Sequence, residues 1–228
     1  MSDLKETIAY HPNGKIKSKG FLLNRKKHSD WTIYFSNGSL KESFIYSNGK
    51  KHGISKAFYE TGELRVIKIF ENDLSSGQWL YYHPNGQLVE VRNHLNGKEH
   101  GERLVYYYEF AGALRYRQIY INGNCQEATA YYPTGTLLSV SKYKGDSVLF
   151  TKHGEVREYY FNGQANYVWN YFDGKLTGKH FEYYESGNIK VEGNYYKDSK
   201  VGNWKIYKEN GDLEIEKDYE GKGKVKIK

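Results

Sequence analysis

Residues 77–88 read Gly77-Gln78-Trp79-Leu80-Tyr81-Tyr82-His83-Pro84-Asn85-Gly86-Gln87-Leu88. Apolar and aromatic residues flank an Asn-Gly pair, the strongest short-range hairpin signal, because both residues tolerate the positive φ of a tight turn. The same glycine returns as Gly14, Gly38, Gly62, Gly86, Gly112, Gly135, Gly163, Gly187 and Gly211, and seven of these nine keep a 24-residue register. Five of them directly follow Asn (Asn13, Asn37, Asn85, Asn162, Asn210). A period of this length makes the chain one repeat array, against which every other motif has to be weighed.

With each such glycine set to zero, position −4 holds Tyr10, Tyr34, Phe58, Tyr82, Tyr108, Tyr131, Tyr159, Tyr183 and Tyr207. Position +2 holds Ile16, Leu40, Leu64, Leu88, Leu114, Leu137, Ala165, Ile189 and Leu213. Position +8 holds Leu22, Tyr46, Phe70, His94, Tyr120, Tyr143, Tyr171, Tyr195 and Tyr219. Twenty-six of these 27 positions are apolar or aromatic, where a bulk content of 38% supplies about ten. A three-residue loop ending in a left-handed glycine sets −4 opposite +2. Positions +2 and +8 share parity, so the expectation is a single apolar face made of all three columns.

A second turn follows about eleven residues later, in Asn48-Gly49, Asn72-Asp73, Asn96-Gly97, Asn122-Gly123, Lys144-Gly145, Asp173-Gly174 and Asp198-Ser199. A third glycine then comes four residues on in most repeats, with Ser29 and Gln126 in its place in two. Each unit is a strand, a turn, a strand and a turn. The fold class is therefore all-β: an elongated antiparallel meander or solenoid of about nine hairpin repeats, with about eighteen strands. Residues 1–228 are read as one repeat domain, with repeats over 7–221 and a basic tail over 222–228 (Lys222, Lys224, Lys226, Lys228) expected to fray in solvent. Two insertions interrupt the beat, at Glu102–Gly112 and Asp146–His153, and insertions in repeat arrays fall in loops.

The 228 residues include 24 Tyr, 24 Gly and 10 Phe but only 3 Pro, and the mean hydropathy is −0.83, so burial rests on rings. Cys125 is alone, which excludes an internal disulfide. The N-terminal residues carry no apolar stretch of signal-peptide type and no segment reaches the ~20 apolar residues of a membrane helix, so the expected location is cytoplasmic. A formal charge of +7 favours acidic partners without forming the dense patch of a dedicated nucleic-acid binder.

The unit G-x-W-x-x-Y-x-x-N-G-x-L resembles the MORN repeat, and more closely the MORN-variant repeats of bacterial proteins often described as antitoxins. The resemblance runs from Tyr10 to Tyr219. It implies stacked hairpins in an elongated antiparallel sheet and non-enzymatic roles: protein scaffolding, dimerisation, lipid contact in eukaryotic members and toxin neutralisation in some bacterial ones. It carries over no catalytic residues, and the 24-residue unit with two turns is longer than the shorter MORN unit. Gly202–Gly211 also resembles the Trp/Tyr hairpins of choline- and glucan-binding repeats, though only Trp31, Trp79 and Trp204 occupy the indole position.

The eight His are scattered, several at repeat-equivalent positions (His11 with His83, His52 with His100), and no HExxH, CxxC or P-loop motif occurs. The expectation is a protein that is not an enzyme and takes no cofactor or metal. Rings off the three columns are the candidate binding residues: Tyr81, Tyr107, Tyr132, Tyr160, Tyr167, Trp169 and Tyr184, with the stretch Asp146–Tyr171 favoured as a contact region. Tyr suits such a role, since it offers a rigid area and a hydroxyl. The expected function is protein–protein interaction of the antitoxin or immunity type. The expected partner is a protein, with a toxin as the specific case, alongside homodimerisation through sheet edges, contact with anionic lipid and no specific nucleic acid. The alternatives are a lipid-surface scaffold and a choline- or carbohydrate-binding array.

Overall fold

The structure is a computed structural model and describes residues 3–110, 112–144, 150–220 and 224–227. By packing, the chain divides into two units, Met1–Gly112 and Ala113–Lys228. Among the described residues every regular element is a strand. No helix is long and apolar enough to cross a membrane, which says nothing of crossing by strands.

The first unit contains β1 (Leu4–Tyr10), β2 (Ile16–Leu23), β3 (Lys26–Tyr34), β4 (Leu40–Ser47), β5 (Lys50–Lys51), β6 (Gly53–Phe58), β7 (Leu64–Glu71), β8 (Leu74–Tyr82), β9 (Leu88–Leu95) and β10 (Lys98–Tyr106). The second contains β11 (Leu114–Ile121), β12 (Asn124–Tyr131), β13 (Leu137–Lys142), β14 (Gly154–Tyr159), β15 (Ala165–Phe172), β16 (Lys175–Leu176), β17 (Gly178–Tyr183), β18 (Ile189–Tyr196), β19 (Ser199–Tyr207), β20 (Leu213–Glu220) and β21 (Lys224–Ile227). Within each unit the strands pair antiparallel with their chain neighbours, as a meander. Two first strands are split, β5 from β6 and β16 from β17, next to the positive-φ glycines Gly53 and Gly178. The expected fraying of the basic tail is corrected for 224–227, which pair with Lys217–Glu220; Lys222 and Lys228 lie outside the described residues.

The two turns of each unit have different chemistry. At the first, the glycine alone turns left-handed, with φ between +81° and +107°. Its N–H donates to position −3 (Gly86 N to His83 O, 2.8 Å), and the N–H of −3 donates to the carbonyl of +1. Asn at −1 fits because its Oδ1 accepts the N–H of +1, as in Gln87 N to Asn85 Oδ1 at 2.9 Å. At the second turn both residues have positive φ, as in Asn48 (51°) and Gly49 (84°), which is the two-residue type I′ hairpin.

Position −4 pairs with +2 in eight hairpins, as expected. The single-face expectation is corrected. In each of these hairpins −5 pairs with +4, so the residue at +3 (Lys17, Lys41, Arg65) has no opposite number and forms a bulge. The extra residue reverses the parity: −4 and +2 lie on one face, while +4, +6 and +8 lie on the other with −5 and −7. Contacts agree with this. Trp31 at −7 meets Tyr46 at +8, whereas Tyr207 at −4 donates its hydroxyl to Glu192 at +5 (2.7 Å).

Adjacent hairpins are tied side to side by polar groups. Tyr59 donates its hydroxyl to Tyr82 O (2.8 Å), and His11 donates from Nε2 to Tyr34 O (3.0 Å). Asn13 and Asn162 send their amides to Ser36 O and Glu185 O at 2.8 and 2.9 Å. Type I′ turns add backbone bonds of the same kind, such as Gly49 N to Lys27 O and Gly174 N to Lys152 O.

Candidate binding face

The bulge gathers −7, +6 and +8 onto one face, where the indoles lie. In the first unit β2 sets Gly20 opposite Trp31 of β3, and Trp31 stands opposite Phe44 of β4. Trp31, Phe44 and Tyr46 are buried together, with Leu22 and Ile33 packed on them. Gly20 is a seat for the indole: a Cβ there would lie 2.2 Å from Trp31 Cε3, which no side chain can occupy. Farther along, Phe70 and His94 flank Trp79 at centroid distances of 5.4 and 4.3 Å, and the Trp79 indole N–H donates to Ile69 O. Burial holds the His94 imidazole below its ordinary pKa; Glu99 opposes that shift, and Arg92 and Lys68 add to it.

Lysines cover these rings. The Lys27 ammonium lies 4.3 Å from the Trp31 ring centre and 5.0 Å from Tyr46. Lys51 sits over Phe44 (4.1 Å) and Phe70 (5.2 Å), and Lys68 over Trp79 (4.7 Å). Such contacts contribute about 0.5–1 kcal/mol at exposed sites and more when desolvated. The Lys68 ammonium is held below the usual lysine range, first by burial and then by Arg65, Lys51 and Arg92; Glu42 counteracts part of this. Beyond Trp79 the face turns to ion pairs. Glu90 accepts from Arg92 Nε (3.0 Å) and from Arg103 Nε (2.6 Å), and Arg92 Nη1 also reaches Glu99 (3.1 Å).

The second unit repeats the scheme. Gly193 of β18 lies opposite His180 of β17, and the Trp204 indole covers it, so that a Cβ at Gly193 would be 2.2 Å from Trp204 Cδ2. His180, only 3% exposed, lies 5.5 Å from both Tyr195 and Trp204, with Nε2 3.2 Å from Glu182 and Nδ1 unpartnered. Trp204 also meets Tyr195 (5.0 Å) and Tyr219 (6.2 Å). Lysines again cap the rings: Lys200 over Trp204 at 4.0 Å and Lys152 over Tyr171 at 5.1 Å.

The sequence-derived candidates fall into three groups. Tyr167 and Trp169 stack at 4.8 Å with planes 12° apart, and Trp169 stands 6.1 Å from His180, so these two belong to the indole face. Tyr81 is on the same face in the first unit, with the Arg92 guanidinium 5.0 Å from its ring. Tyr132, Tyr160 and Tyr184 hold hairpins together: their hydroxyls donate to Tyr159 O, Tyr183 O and Tyr207 O at 3.2, 2.8 and 2.8 Å. Tyr107 lies beyond β10 in the first insertion, where its ring meets Phe110 edge-on and its carbonyl accepts from Gln87. Of the favoured stretch Asp146–Tyr171, residues 146–149 lie outside the described residues, as does Gly145. The lysines of the face were not among the candidates. The signal for them was available, since Lys27, Lys51, Lys152 and Lys200 all stand eleven residues before a beat glycine. Among the described residues no group of three or more His, Cys, Asp or Glu is placed to hold a metal ion.

No curated protein matches the chain. Among solved structures, a chain of the TcdB2-TccC3-TEV crystal structure is similar at 14% identity, over 96% of this chain and 14% of that one, with a TM-score of 0.23. A chain of the Photorhabdus luminescens Tc holotoxin pore is similar at 13% identity, over 94% and 13% of the two chains, with a TM-score of 0.24. The present chain thus spans about one-seventh of the length of the structures it matches. The family described as MORN repeat variant matches residues 5–24, 51–72, 76–96, 152–173, 176–198 and 200–220, more than half of the chain. Each matched block covers one beat turn and its two strands. The chain belongs to the MORN repeat variant family.

Proposed function

We propose that this repeat protein is a non-enzymatic binding module that occupies and neutralises a partner protein, as an antitoxin or immunity protein does. The observation that supports this reading is the indole face: rings held buried or half-buried in fixed positions and covered by ammonium groups on a scaffold already hydrogen-bonded from hairpin to hairpin. A surface ordered before binding loses little conformational entropy on docking, and aromatic residues are the usual anchors of protein interfaces. The reading assigns the chain no reaction, cofactor or metal. We also propose a cytoplasmic location and homodimerisation through sheet edges, to be read by sedimentation equilibrium.

The test is co-expression with the protein encoded beside it. The expected result is growth inhibition by the neighbour alone, relief by this chain, and a complex of fixed stoichiometry. A neighbour that neither inhibits growth nor co-purifies would refute the reading. Flotation with anionic vesicles would then favour the lipid-scaffold alternative, and tryptophan fluorescence changes with choline or glucan the carbohydrate one.

A further inference from the structure

Resting on that reading, we propose that the row Lys27, Lys51 and Lys68 on the first unit is the recognition element of the face, and that it takes an acidic segment of a partner protein. Lys27 and Lys51 occupy equivalent places in consecutive repeats, and Lys68 follows on the next strand but one. Equivalent places one repeat apart are two strands, or about 10 Å, apart. None of the three ammoniums takes part in an ion pair among the described residues, although carboxylates lie nearby in sequence. Ring faces lie beneath all three: Trp31 and Tyr46 under Lys27, Phe44 and Phe70 under Lys51, and Trp79 under Lys68, with Glu42 acting on Lys68 without forming an ion pair. Lys51, Arg65 and Arg92 act on Lys68 to disfavour its charged form and Glu42 offsets part of this, so several cations face one carboxylate around Lys68. An added anion relieves that repulsion.

The nature of the anion follows from the rings. Nucleobases need open ring faces to stack on, and insertion into a bilayer interface needs protruding apolar side chains. Here Trp31, Phe44 and Tyr46 are buried, and their faces are capped by the ammoniums. What remains accessible is a line of single-point donors, which suits separate carboxylates of Asp and Glu. Lysine binds an anion as a point charge, without the planar fork that favours phosphate.

The test uses the full chain and a fluorescein-labelled peptide of alternating Glu and Gly, read by anisotropy at low salt. Each Lys→Gln change on the row is expected to weaken binding about two- to fivefold, and the triple variant about tenfold or more. The control triple Lys17→Gln, Lys41→Gln and Lys56→Gln removes the same charge from exposed positions outside the row and is expected to leave affinity within twofold. The row variant K27R/K51R/K68R keeps the charges and is expected to bind, which separates lost recognition from lost folding. Equal loss in both Gln triples overturns the proposal, because net charge alone would then explain it. No peptide binding by the natural chain also overturns it. Stronger row-dependent binding of single-stranded DNA or of phosphatidylserine vesicles than of the peptide overturns the carboxylate assignment. If the neighbouring protein still co-purifies while the peptide does not bind, this inference fails and the proposed function stands; if neither binds, both fail.

Discussion

Gly193→Ala tests the central packing feature directly. Gly193 has ordinary extended geometry, so any penalty comes from space and not from φ. A Cβ there would stand 2.2, 2.3 and 2.7 Å from Trp204 Cδ2, Cε2 and Cε3, the rigid body of the ring. The indole would have to retreat by more than 1 Å to reach van der Waals contact, about 3.4 Å and beyond. It has little room to do so, since Trp204 is 3% exposed and is ringed by His180, Tyr195 and Tyr219. Overpacking of this kind costs about 1–3 kcal/mol. Displacing the indole also weakens its N–H bond to Asn194 O (3.2 Å), a further ~1 kcal/mol. Alanine returns about 0.4–1 kcal/mol by restricting the unfolded chain. The net expectation is a loss of about 2 kcal/mol, a fall in Tm of about 4–8 °C for a chain of this length. Thermal unfolding followed by tryptophan fluorescence and calorimetry reads it. Gly193→Ala in a Trp204→Leu background should cost far less, because the clash is already gone. A single variant within a degree of the natural protein, or a cost unchanged in the Trp204→Leu background, refutes the seat.

Tyr184→Phe removes the hydroxyl that donates to Tyr207 O and leaves that carbonyl unpaired; urea unfolding should show a loss of about 1 kcal/mol. No change would mean that the hairpin staple contributes nothing. The His94 pKa is depressed in the folded state, so the unfolded chain takes up protons first; stability is fully present above about pH 6.5 and falls as pH drops through the folded value. His94→Tyr, which restores the ring found at +8 in most repeats, should flatten that acid limb in urea unfolding between pH 7 and 4.5, and an unchanged limb would assign it elsewhere. Glu90→Gln removes the carboxylate charge shared by Arg92 and Arg103 and should lower the denaturation midpoint more than Lys19→Gln, whose partner Glu6 is well exposed.

Much of the fold was legible because its signals are local. The returning glycine specifies a left-handed turn residue, Asn before it supplies a side chain that bonds its own turn, and the ring at −4 with the aliphatic residue at +2 marks the closing pair. The candidate site was legible only in part. Tyr167 and Trp169 were found by aromatic density. Tyr132, Tyr160 and Tyr184 stand out as rings at position −3, off the three columns, yet their hydroxyls serve neighbouring hairpins more than twenty residues away. A hydroxyl reads the same whether it meets a partner or the next repeat.

The sequence by itself determined the period, the places of the two turns, the antiparallel pairing of −4 with +2 and membership in a hairpin-repeat class, since each depends on residues within one turn and its flanks. Tertiary structure alone decided which face is which. One unpaired residue at +3 reverses the parity of every position after it, and Lys17, Lys41 or Arg65 is equally at home in solvent with or without a bulge. That reversal moves Tyr46, His94 and Tyr195 away from the −4 rings and onto the indoles, with Gly20 and Gly193 as seats and the lysines above. The physical reason is that a face is a property of pairing between strands, and pairing is settled by how whole hairpins pack against one another.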